Sequence, residues 1–230
     1  MEYEIKNSIY SNKLAQEKDI KDFILEGSGG FRFDGSSMCM YNELDTRLGQ
    51  KANFVLWCPE TFPSDIEINW EFSPIAEPGL AIMFFSALGI NGEDIFHESI
   101  LKRNGEYDKY HSGDINCYHI SYFRRMWESE RCFHTCNLRK SAGFHLAAQG
   151  ADPLPDVEDS SGFYSMRIAK LGGDIALYIN DLPIFEYHDD GETFGKVLGQ
   201  GKIGFRQMAP LNARYKNLVV NEISMLHPAK

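Results

Sequence analysis

Four side chains in one central stretch have the types that recognise an acid and move a proton: His119, Arg125, Asn137 and Arg139. A guanidinium presents a rigid fork of donors that pairs a carboxylate bidentately. A carboxamide matches a hydroxyl as donor and acceptor, and an imidazole exchanges a proton near neutral pH. Arg139 belongs to a cationic island, Arg124, Arg125, Arg131, Arg139 and Lys140, opposed only by Glu128 and Glu130, in a chain of formal net charge −10. That balance argues against nucleic acid or an anionic membrane as partner, since both require broad positive potential. It points instead to a small anionic ligand, with a solvated charged hairpin as the competing reading.

Two strands have to position these groups. HSGDINCYHISYFRR (111–125) and TCNLRK (135–140) have strand preferences. With a period of two, Tyr118, Ile120 and Tyr122 share a core face, while His119, Ser121, Phe123 and Arg125 share the other. In the second segment Cys136 and Leu138 are buriable, which leaves Phe133, Thr135, Asn137 and Arg139 opposite. A turn at MWESE (126–130) pairs the strands antiparallel and merges their odd-numbered residues into one surface. An outward sheet face is polar as a rule, so simple solvation competes with a binding role here.

Flanking residues extend the candidate set. His145, in GFHLAA, is the second candidate for proton transfer beside His119, or else a structural histidine. Asn116 is a ligand contact or a strand-entry residue. Trp57 has the opposite parity to Phe54 and Leu56, which makes it a stacking platform unless it packs in a core. Arg206 shares parity with Lys202, away from Ile203 and Phe205. His111 and Asp114 read as loop architecture, Asp114 bonding its own turn.

The rest of the chain reads as β-structure. A length of 230 residues with 43% hydrophobic and 13% aromatic content supports one large core, and all-β sandwiches of this size form single domains. NKLAQEKDIKDFIL (12–25) is the one helical segment expected. FRFDGSSMCMY carries an Asp-Gly hairpin signal. DIEINWEF alternates strictly and predicts a half-buried strand. LAIMFFSAL (80–88), apolar on both faces, predicts the middle of a sheet. The polar connection 89–114 has the length of a functional lid or binding loop, and 150–162 reads as another exposed loop. A meander of short strands then closes the chain. The expectation is a single domain, 1–230: an antiparallel two-sheet sandwich of the concanavalin-like or jelly-roll kind with a short N-terminal helix.

Five cysteines without paired short spacing, and no basic-then-apolar leader, predict a reducing, cytoplasmic setting. No apolar run reaches the roughly 18 residues of a membrane span. Cys132 and Cys136 lack a second ligand pair at zinc spacing, and Glu93–Asp94 and Asp189–Asp190 lack a calcium-loop pattern, so no metal site is assigned and no cofactor is expected.

The closing pattern IALYINDLPIFEY, GKIGFRQ and YKNLVV resembles the C-terminal half of concanavalin-like lectin/glucanase sandwiches. More narrowly, WCPETFP (57–63), EFSP (71–74), HSGDIN (111–116), SYFRR (121–125), TCNLRKSAGFHLAA (135–148), GADPLP (150–155) and GKIGFRQMAP (201–210) resemble the YesU-like domain-of-unknown-function family. That family is associated with bacterial pectin (rhamnogalacturonan) utilisation. The resemblance implies the sandwich fold, a cytoplasmic location, a carbohydrate context and a glycan site on the concave face of one sheet. It implies no reaction.

Three activities fit the residues. The first is binding of acidic, uronate-containing oligosaccharides in a groove lined by Trp57, Asn116, Arg125, Asn137, Arg139 and Arg206. The second is a polysaccharide lyase, in which arginine and asparagine neutralise the uronate carboxylate while His119, His145 or a nearby tyrosine removes a proton. The third, a retaining glycoside hydrolase, would use Glu67 and Glu71, which alternation places on one face of EINWE.

Overall fold

The computed structural model describes residues 1–226. Alternating apolar and polar positions produce strands throughout. The N-terminal third holds β1 (Tyr3–Asn12), β2 (Ile24–Gly27), β3 (Gly29–Phe33), β4 (Met38–Asn42) and β5 (Phe54–Trp57). Then come β6 (Ile66–Ala76), β7 (Leu80–Gly89), a short helix α1 (Asp108–His111), β8 (Ile115–Tyr122), α2 (Glu128–Cys132), β9 (Thr135–Ser141) and β10 (His145–Ala151). The chain closes with β11 (Tyr164–Leu171), β12 (Asp174–Ile179), β13 (Leu182–His188), β14 (Lys202–Met208) and β15 (Asn212–Met225).

The strands form two antiparallel sheets packed face to face. One runs β13-β12-β11-β6-β15-β4-β3, with β1 also paired to β15; the other runs β10-β9-β8-β7-β14-β5-β2. Of the five strands expected to close the chain as a meander, only β11, β12 and β13 do so: β14 crosses to the second sheet and β15 inserts between β6 and β4, while β7 lies between β8 and β14 in the middle of its sheet. Between the sheets, Trp70 and Phe72 of β6 meet Tyr122, Phe205 and Tyr215, with Trp70 Nε1 donating to Tyr122 Oη at 3.2 Å. Each such buried side chain contributes roughly 1.5–3 kcal/mol.

Two local expectations change in scale. The Asp-Gly hairpin forms between β3 and β4, where Asp34 Oδ1 accepts from the Ser36 and Ser37 amides at 2.8 and 2.7 Å. The N-terminal helix is only one 3-10 turn, Glu17–Ile20, because β1 and β2 take both ends of the segment. Asn12 accepts from the Leu14 amide and donates to the Asp19 carbonyl, so it closes that turn instead of capping a longer helix.

The connection 89–114 folds over the outer face of the second sheet. Arg103 pairs with Glu26 of β2 at 2.7 Å, and Trp57 Nε1 donates to the same carboxylate at 2.9 Å. Asp94 pairs with Lys202 at 3.1 Å, and Asp114 accepts from the Leu101 amide at 2.7 Å. Gly105, at φ +90°, lets the loop approach so closely that a Cβ there would lie 1.9 Å from the Asn53 carbonyl oxygen. This docking covers one part of the face and leaves a cavity over another.

Candidate functional site

The outer face of the second sheet is built from rungs of directly opposed residues. One rung reads Asn137, Ser121, Ile82, Arg206 and Val55 across β9, β8, β7, β14 and β5. The next reads Arg139, His119, Phe84, Gly204 and Trp57. Directly opposed residues share a face, so the expected common surface of β8 and β9 forms, with His119 across from Arg139 and Ser121 across from Asn137. Arg206 joins it from the far side of β7.

The loop divides this face. Over the second rung it buries Trp57, which stacks on Phe84 at 5.4 Å and lies 6.4 Å from Tyr110. Gly204 makes room, since a Cβ there would sit 2.5 Å from the indole. Over the first rung the loop stops short, leaving a cavity of about 330 Å3. Its floor is Ser121, Asn137 and Ile82. Its walls are Arg124, Arg139 with Phe144, Tyr107, and Arg206 with Gln50; Trp127 stands at the rim, 52% exposed. Asn137 and Arg206 lie three strand spacings apart, roughly 14 Å.

The charge in this cavity is unbalanced. Arg124 pairs with Glu130 at 2.7 Å and donates to Thr135 at 2.6 Å; with its amide oxygen turned that way, Asn137 accepts from Arg124 Nη1 at 3.1 Å. Arg139 donates to the Phe144 carbonyl at 2.9 Å and lies over that residue's ring at 3.8 Å. Arg206 donates to Gln50 Oε1 at 3.1 Å, lies 4.5 Å from the Tyr107 ring centre, and leaves its buried Nε without a partner. Among the described residues, neither Arg139 nor Arg206 has a carboxylate partner. Burial lowers the pKa of both, that of Arg206 to about 10. Both remain cations at neutral pH, held where solvation is poor.

Tyr107, in the cavity wall, has its Oη 2.8 Å from Nε2 of His119, which lies behind that wall. Burial, and then the charge of Arg139, hold the His119 pKa well below the ordinary value, so the imidazole is neutral. Burial raises the Tyr107 pKa above the ordinary phenol value.

Of the eight residues singled out from sequence, the structure brings Asn137, Arg139 and Arg206 to the cavity and places His119 one residue behind it. The other four lie elsewhere. Phe123 adopts φ +46° and turns its ring into the core, which breaks the alternation after Tyr122. Arg124 therefore faces the cavity, while Arg125 is fully buried against Asp156 at 2.6 Å and Asp152 at 3.3 Å. Trp57 has the expected parity but lies under the loop, unavailable for stacking. Asn116 shares the parity of the core-facing Tyr118 and accepts from the Ala142 amide at 3.1 Å, which holds the β9–β10 turn. His145, across from Lys140 on the face away from the cavity, stacks on Phe194 at 4.7 Å.

Tyr107, Arg124, Gln50, Trp127 and Phe144 escaped the sequence reading. Arg124 stood in the cationic island and Trp127 in the turn joining the two strands, but parity assigned neither to the site. Tyr107 comes from the long connection and Gln50 from a short kinked 3-10 segment, Thr46–Ala52, where no strand periodicity reports side-chain direction.

Glu67 and Glu71 do share a face, that of the first sheet and opposite the cavity. Glu67 accepts from Tyr3, Asn69 and Asn221; Glu71 accepts from Asn217 at 2.6 Å and pairs with Lys216 at 3.0 Å.

The family model described as domain of unknown function (DUF1961) matches residues 7–220. A Bacillus subtilis (strain 168) protein, "Uncharacterized protein YesU", is 52% identical over 214 residues, 93% of this chain and 95% of that protein. A solved Bacillus subtilis protein of unknown function with galectin-like fold superposes with a TM-score of 0.94 at 50% identity, covering 98% of this chain and all of the other. The carbohydrate binding module CBM66 from Bacillus subtilis superposes with a TM-score of 0.54 at 10% identity, covering 88% of this chain and 97% of that one; this likeness is one of fold.

Proposed function

The chain belongs to the DUF1961 family, and we propose that its cavity binds a short acidic oligosaccharide whose carboxylate is held by Arg139 and Arg206. The observation that carries this reading is the pair of guanidiniums left without a carboxylate in a partly closed pocket. An unneutralised buried cation is costly, and a ligand carboxylate offsets that cost while accepting charge-assisted hydrogen bonds. Asn137 and Ser121 on the floor supply the hydroxyl-matching groups, and the Phe144 and Trp127 rings supply faces for the apolar side of a sugar. The fold shared with a carbohydrate binding module supports the same reading. A uronate, as in pectin fragments, combines a carboxylate with a pyranose ring and so meets both halves of the site.

Calorimetric titration with oligogalacturonides, oligoglucuronides, alginate-derived oligouronides and neutral oligosaccharides tests the reading. Binding is expected for uronate-containing ligands and to weaken as salt rises; an absence of binding to every uronate would overturn it. Five free cysteines, with Cys58, Cys117 and Cys136 buried, suit a reducing compartment. The proposal therefore places the protein in the cytoplasm, where its ligand is an imported fragment and not a polymer; recovery outside the cell on fractionation would contradict that part.

A further inference from the structure

We propose that the cavity carries out β-elimination on the bound uronate, with Tyr107 moving the proton and His119 relaying it from behind. The proposal rests on the binding reading above and adds a reaction to it. Three observations converge on it. Tyr107 belongs to the docked loop, lines the cavity and lies 2.8 Å from His119 Nε2. His119 is fully buried with no carboxylate beside it among the described residues, and its other ring nitrogen lies 4.0 Å from Cys117 Sγ. With hydrogen assigned to that Nδ1, Nε2 is free to accept the phenol proton. Arg206 lies over the Tyr107 ring, and Arg139 stands opposite His119 on the neighbouring strand.

A polar pair buried among Phe84, Phe144 and Cys117 is an expensive way to fill space, since apolar side chains would pack there without desolvation cost. Its position suits proton transfer next to a neutralised acid. A carboxylate held by two guanidiniums can take up negative charge, which acidifies the hydrogen on the adjacent carbon. Tyr107 Oη takes that hydrogen as a proton while its own phenolic proton passes to His119 Nε2. The C–H electron pair forms the carbon–carbon double bond, and the glycosidic C–O bond on the next carbon breaks. Tyr107 then protonates the departing oxygen and regains its proton from the imidazolium. Substrate becomes an unsaturated uronate and an alcohol, with no water consumed and both side chains restored. The bound carboxylate also offsets the Arg139 and Arg206 charges that disfavour a transient imidazolium at His119.

The experiment is digestion of the oligouronides that bind in the titration, read by ultraviolet absorbance of the conjugated product and by mass spectrometry. The expected product masses sum to the substrate mass, whereas hydrolysis would add one water. Tyr107→Phe is expected to lower kcat by at least ~100-fold with KM unchanged, the signature of an interaction made only in the transition state. His119→Gln should lower kcat in the same way, and thermal melts of both variants report whether the fold persists. Bound oligouronides that yield no unsaturated product, or a folded Tyr107→Phe that keeps its kcat, would overturn the elimination and leave the binding reading standing. Failure of every uronate to bind overturns both.

Discussion

The two outer faces of the sandwich use similar residue types to opposite ends. On the first sheet, Glu67 and Glu71 are met by Tyr3, Asn69, Asn221, Asn217 and Lys216, so acceptors and donors are matched within the chain. On the second sheet, guanidiniums outnumber carboxylates in the cavity, and Arg139 and Arg206 are satisfied only by neutral oxygens and aromatic rings. A closed polar network stabilises a fold and leaves nothing to offer a ligand. An open one carries a standing electrostatic cost that a ligand of the right charge removes. Residue type alone does not separate the two.

Arg125 gives the sharpest contrast with the open guanidiniums, because it is closed although it comes from the same sequence stretch. Arg125→Ala leaves the buried Asp152 carboxylate without its cation, and a stability loss of about 3–5 kcal/mol is expected in chemical denaturation. Arg139→Ala should do the reverse: the denaturation midpoint stays in place, while uronate affinity falls by about 1.5–3 kcal/mol, or ~10–150-fold, in titration calorimetry. Equal effects of the two substitutions on stability would break the comparison. Glu67→Ala on the opposite face leaves three donors unpaired and should cost about 1–3 kcal/mol of stability with ligand affinity unchanged.

The covered part of the cavity face gives the smallest effect. His119 titrates well below 6.5 in the folded protein, whereas in the unfolded chain it titrates near that value. As pH falls through 6.5 the unfolded state takes up the proton first, so stability drops by up to ~1.4 kcal/mol per pH unit. His111, lowered by burial, adds to this trend; His188, raised by its bond to Asp174, opposes it. Denaturation midpoints of the wild type and His119→Asn, compared at pH 7 and about pH 5.5, should show a shallower loss in the variant.

Much of the fold was legible because strand parity is a property of the backbone. The strict alternation in β6 and the apolar run of β7 reported burial without any tertiary knowledge. Parity also placed His119, Asn137 and Arg139 on one surface and pointed Arg206 away from the core. It failed at Phe123, where a left-handed residue breaks the alternation at the end of β8 and exchanges the roles of Arg124 and Arg125. It was silent about Tyr107 and Gln50, which lie outside the strands.

Local sequence determined which residues face outward from the regular strands of the second sheet, because successive side chains of a strand must alternate. Only the tertiary structure decided which part of that face stays open. The long loop is pinned through Arg103 to Glu26, 77 positions away in sequence, and this contact buries Trp57 and His119 while leaving Arg139 and Arg206 at a cavity. Such docking depends on close packing between segments that are remote in the chain, and no local pattern of residue types encodes it.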